Sequence, residues 1–176
     1  MVKKFMTKFS FIVFALVLFI CFGQAAAQNR NDTPRFSDYP VTNIFTGKNA
    51  PVKLVSSADR RYRTVLREAA REEPDFAGHY KIALAGCGTN CMIAAVINLR
   101  TGRVYWFPET IYHGLSDEVD VIIGDGVAKY SVDSKLLVFS TLKDQDSDKY
   151  VYLQYYVFEG NRFTLIKSVK KRRSDI

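Results

Sequence analysis

The sequence predicts an α+β fold: an antiparallel, meander-rich β-sheet with one amphipathic helix packed on it, in a single domain. Two observations carry this. From residue 80 onward, apolar runs of strand length alternate with short turns rich in glycine, asparagine and aspartate, as consecutive hairpins do. Before them, only one stretch has apolar residues at helical spacing.

The N-terminus comes first. Lys3, Lys4 and Lys8 precede twelve residues without a polar side chain, Phe11 to Phe22, and Ala25-Ala26-Ala27 offers small residues before Gln28. This is the pattern of a secretory signal peptide spanning 1–27, cleaved near Ala27. The apolar run is shorter than the roughly 20 residues a spanning helix needs, so no retained transmembrane segment is expected. Ile20 stands where a lipoprotein needs a small residue before Cys21, which is expected to leave with the peptide.

Cleavage leaves 149 of the 176 residues, one domain's worth. It also removes three of 25 basic residues, leaving 22 against 18 acidic ones, a net charge of +4. Such a charge serves solubility, and no nucleic-acid partner is expected. The expected location is periplasmic or secreted, where the remaining cysteines, Cys87 and Cys91, would form a disulfide.

Residues 28–38 are polar and read as a flexible leader before an α+β domain over 39–170. Pro40 and Pro51 argue against central strands nearby. Ser56-Ser57 opens a helix of about three turns, with Tyr62, Val65, Leu66 and Ala69 on one face, and Pro74 closes the segment. Its arginines read as a solvated face.

His79 to Ala85 and Met92 to Asn98 are strands flanking the loop Gly86-Cys87-Gly88-Thr89-Asn90-Cys91, and Val104 to Phe107 follows a turn at Arg100-Thr101-Gly102-Arg103. Val119 to Ile123 reads as a further strand. Val127 to Val132 and Leu136 to Thr141 form one hairpin; Tyr150 to Phe158 and Arg162 to Val169 form another, turning at Gly160-Asn161. The Tyr150 strand is apolar on both faces, which marks it as central or sandwiched. Residues 171–176 read as a frayed basic tail.

The chemistry-bearing residues gather near the first hairpin. A Cys87–Cys91 bridge closes a ring of five residues and is worth only about 2 kcal/mol by loop entropy, so its expected role is local shape. A thioredoxin-type motif would need two residues between the cysteines. Gly86 and Gly88 permit a sharp turn and leave backbone amides open to a partner. On the alternation of the strand, His79 lies on the more polar face, with Asp75 upstream as a possible orienting carboxylate. Trp106, Glu109 and His113 follow the meander, with the composition of a glycan or peptide cleft or of a core edge. Asp144, Asp146 and Asp148 alternate like the opening of a calcium loop, yet Lys149 and Tyr155 stand at the wrong positions for one. No metal or cofactor is expected.

Pro74-Asp75-Phe76-Ala77-Gly78-His79-Tyr80, then Gly86-Cys87-Gly88-Thr89-Asn90-Cys91, a strand, and Thr101-Gly102-Arg103-Val104 together resemble a family of small exported bacterial proteins with an FAGHY motif and a GCGxxC loop. That family has no assigned biochemical function. The resemblance implies export and paired cysteines. Its members more often carry asparagine where this chain has Asp75 and an aromatic where it has Ala85. In shape alone, the cysteine-closed loop is similar to that of periplasmic inhibitors of vertebrate lysozyme.

The functional expectation is a non-enzymatic binding or inhibitor module for an envelope protein or glycan. Its candidate surface is His79, Gly86, Gly88, Thr89, Asn90, Trp106, Glu109 and His113 around the disulfide loop. The alternative is a small envelope hydrolase or modifying enzyme using His79 with Asp75 or Glu109.

Overall fold

The two apolar runs beside the cysteine loop pair as expected: β1 (Tyr80–Gly88) lies antiparallel to β2 (Cys91–Asn98), from Tyr80↔Asn98 to Gly88↔Cys91. The structure, a computed structural model, describes residues 33–88, 91–112, 128–141 and 150–172. Contacts divide the chain into Met1–Thr33, of which only Thr33 is described, and Pro34–Ile176. The signal-peptide reading, the Val119 to Ile123 strand and the loop with Asp144, Asp146 and Asp148 all lie outside the described residues.

Asn98 Oδ1 accepts the N–H groups of Arg100 and Thr101, and Gly102, with φ of 74°, completes the turn. β3 (Val104–Trp106) then returns along the free edge of β2. Farther along that edge, β4 (Ile111–Tyr112) pairs with Cys91 and Met92. This is the expected meander, with β4 as its extension.

The later hairpins form a second four-stranded sheet, ordered β5 (Ala128–Tyr130), β6 (Leu136–Thr141), β7 (Tyr150–Glu159) and β8 (Arg162–Arg172). Gly160 and Asn161 both have positive φ, the signature of the type I′ turn that matches strand twist. The single sheet of the sequence reading is therefore two sheets. The reason lies in β6 and β7, which carry large apolar side chains on both faces, so each face must be covered.

Three clusters provide that cover. Ile82, Val96, Phe107 and Ile111 of the first sheet meet Leu137, Phe139, Tyr156 and Phe158 of the second. On the other face of the first sheet, Ala83, Ala95 and Ile97 lie under Leu66, Ala70 and Val65 from the helical segment. On the other face of the second, Leu136, Val138, Leu153 and Tyr155 are covered by Phe36 and Tyr39.

The helix is present but broken. Ser56 caps α1 (Ser57–Arg61) through a capping box with Asp59, Tyr62 leaves helical geometry, and α2 (Arg63–Ala69) follows, ending before Pro74. Tyr62 turns its ring toward Trp106 at 5.5 Å between centroids.

Among the described residues, regular structure extends into both chain-end segments. Phe36–Asp38 is a short 3-10 helix, and Ser134 Oγ donates toward the carbonyls of Phe36 and Tyr39, so the leader joins the core as soon as it has apolar residues to bury. At the other end, Lys171 and Arg172 belong to β8, opposite Val151 and Tyr150, and Lys170 Nζ sits 3.7 Å from the centroid of the Tyr150 ring.

Candidate binding surface

The disulfide forms as expected: Cys87 and Cys91 are bonded, with Cα atoms 5.2 Å apart. Strand pairing continues past the bridge to Gly88↔Cys91, so Cys87 is a bulge residue between Gly86 and Gly88. Gly86, Cys87 and Gly88 are all exposed. A side chain added at Gly86 would meet nothing within 4 Å, and the same holds at Gly88, whose φ of +149° favours glycine. Gly86 and Gly88 thus place exposed backbone without side chains on either side of the bridged Cys87. Thr89 and Asn90 of the candidate surface, and His113, lie outside the described residues.

His79 is not at this tip. It precedes β1, and the eight residue steps from it to Cys87 span about 26 Å at roughly 3.3 Å per residue. It belongs instead to a joint formed by Phe76 to Tyr80. Phe76 is fully buried in the inter-sheet core, and its N–H and carbonyl exchange hydrogen bonds with Tyr80. Ala77 and Gly78 turn the chain with φ of 42° and 79°, while their N–H groups donate to Ser131 and Val132 of the second sheet's turn. Gly78 O accepts from Phe45 N, and His79 O accepts from Leu99 N. The FAGHY segment is accordingly a structural junction of three chain segments.

The His79 ring stacks on Tyr80 at 4.1 Å between centroids. Burial and the nearby Arg100 charge hold its pKa below the usual histidine value. Asp75 is committed elsewhere. One oxygen accepts the Ile82 N–H at 2.9 Å, and the other lies 2.9 Å from Lys81 Nζ, which also meets Glu72 at 2.6 Å. Burial raises the Asp75 carboxyl despite Lys81. The proposed Asp75 and His79 pairing is therefore replaced by an Asp75, Lys81 and Glu72 ion cluster.

Trp106 and Glu109 face opposite sides of the first sheet. Trp106 lies with the helix cluster, and its Nε1–H donates to Asp59 Oδ1 at 2.8 Å. The other Asp59 oxygen accepts the Val55 and Ser56 N–H groups at 2.8 Å each. Burial would raise this carboxyl, but the hydrogen bonds from Ser56, Trp106 and Val55 outweigh it and keep it below the usual range. Glu109 reaches the inter-sheet side and accepts the Tyr156 hydroxyl, whose pKa is raised by burial and by that carboxylate. The aromatic and acidic residues after the meander therefore divide between two cores.

The sequence reading missed an open cleft of about 940 Å³ between residues 44–52 and the segment 70–74 that follows α2. Lys48, Arg67 and Arg71 line it, together with Phe45, Val52, Pro74 and Val132. The i, i+4 pair Arg67 and Arg71 was its one sequence signal, and it read as solvent-facing charge.

Among the described residues, no helix is long and apolar enough to cross a membrane. No family model, no curated protein and no solved structure matches this chain, so its surfaces are read from their own chemistry.

Proposed function

We propose that the protein is an exported, periplasmic or secreted binding module, non-enzymatic, whose contact surface is the tip of the β1–β2 hairpin. The observation that carries this reading is the exposed Gly86-Cys87-Gly88 backbone beside the Cys87–Cys91 bridge. A loop already closed loses less conformational freedom when a partner docks, so more of the contact energy appears as affinity. Bare glycine backbone also lets a partner approach its amide and carbonyl groups closely. The hydrolase alternative has no comparable support, because the Asp75 and Glu109 carboxylates are engaged by Lys81 and Tyr156 rather than by His79.

The test is cross-linking in the envelope fraction of the producing cell, followed by reconstitution with the purified partner or glycan. Gly86→Trp, at a position with open space and no positive φ, is expected to abolish the complex while leaving the melting temperature of the domain nearly unchanged. A complex that survives Gly86→Trp, or a protein retained in the cytoplasm with free thiols, sinks the proposal.

A further inference from the structure

The open cleft lies toward the opposite end of the first sheet from the hairpin, beside the turn at Gly102. Its walls are the N-terminal segment around Lys48 and the end of α2, held together by Asn49, whose Nδ2 donates to the carbonyls of Ala70 and Glu72 at 3.0 and 2.8 Å. Those two bonds use acceptors that the helix end would otherwise present to a ligand.

What remains on the walls is rich in donors. Lys48, Arg67 and Arg71 are exposed, and none takes part in an ion pair among the described residues. Two carboxylates share the cleft, Glu72 and Glu73, but Glu72 is held by Lys81. The charge left facing a ligand is three cations against Glu73. The backbone of Thr46, Gly47 and Lys48 adds unpaired donors and acceptors, since no backbone hydrogen bond involves these residues among those described. Beneath them the floor is apolar, with Phe45, Val52 and Pro74 half-buried.

We propose that this cleft takes an acidic peptide segment of a partner protein, with carboxylates alternating with apolar side chains. Each feature selects part of that ligand. The unpaired main chain pairs with another main chain, the guanidinium groups of Arg67 and Arg71 donate to carboxylates in a two-pronged geometry, and the floor takes the apolar side chains. The volume, near the top of the 300–1,000 Å³ range of ligand clefts, exceeds what a lone phosphate or carboxylate fills. This surface is separate from the hairpin tip and does not depend on the function proposed for it.

The experiment is fluorescence anisotropy of the purified protein with a labelled alternating Glu-Leu octapeptide. The expected result is saturable binding that weakens with salt, as exposed charge contacts do. Arg67→Glu with Arg71→Glu weakens it at least tenfold, and Lys48→Glu weakens it independently if the double variant folds poorly. Gly86→Trp leaves it unchanged, so failure here and failure of the hairpin reading are told apart. An alternating Lys-Leu octapeptide does not bind, and inorganic polyphosphate does not displace the acidic peptide. The proposal is overturned if the acidic peptide does not bind, if charge reversal changes binding less than twofold, or if polyphosphate competes as well as the peptide does, which marks a generic anion surface.

Discussion

His79 is the residue whose environment makes the clearest solution prediction. Its ring lies against Tyr80 and near Arg100, and its folded pKa is below the reference value of 6.5. Between those two values the unfolded chain binds more protons than the folded one. The ring's contribution to stability is therefore fully present above about pH 6.5 and is lost as the pH falls through the folded value. Asp59 and Glu72 titrate below the usual carboxylate range, and Asp75, raised by burial, contributes with the opposite sign. The difference between wild type and His79→Gln isolates the ring. Urea midpoints measured from about pH 7.5 to about pH 5 are expected to fall more steeply for wild type than for His79→Gln. Equal slopes would show that the ring is not shielded as described.

Among the elements, the glycines of the first sheet divide into two kinds. Gly102 turns β2 into β3 with φ of +74°, and a Cβ there would lie 1.9 Å from the Pro51 carbonyl oxygen. The approach is close because this turn pins the N-terminal segment: Lys53 N donates to Gly102 O, and Ala50 N to Leu99 O. At Gly86 a Cβ would have open space around it. Gly102→Ala is expected to cost about 3 kcal/mol through backbone strain and collision. Gly86→Ala is expected to stay within about 0.5 kcal/mol, as open surface positions do. Urea denaturation of the two variants checks both, and equal losses would contradict the close approach at Gly102. Because residues 44–52 form one wall of the cleft, this turn also positions that wall.

At the scale of the whole molecule, the two sheets are joined through aromatic rings. Phe107, where the first sheet leaves β3, places its ring 4.3 Å from Phe139, 4.8 Å from Tyr156 and 5.3 Å from Phe163, all in the second sheet. Removing it opens a cavity between the layers, so Phe107→Ala is expected to cost about 3–5 kcal/mol. Tyr156→Phe removes only the hydroxyl bonded to the half-exposed Glu109 and is expected to cost about 1 kcal/mol. Unfolding followed by Trp106 fluorescence and by far-UV circular dichroism measures both; a Phe107→Ala loss below that of Tyr156→Phe would count against an aromatic joint.

The sequence by itself determined what is local: the cysteine-closed hairpin, the Gly160-Asn161 turn, and the two apolar faces of β7. Alternation of period two and the φ demanded at a turn act between neighbours in the chain, so they can be read without knowing the fold. Only the tertiary structure decided that the hairpins form two sheets, that Asp59 serves Trp106 while Glu109 serves Tyr156, and that His79 and the disulfide stand at opposite ends of one strand. It also decided that Lys48, distant in sequence from Arg67 and Arg71, shares a cleft with them. These pairings join residues far apart in the chain. Which distant side chain satisfies a buried carboxylate or indole depends on how the layers stack, and that stacking is set by burying all the apolar faces at once.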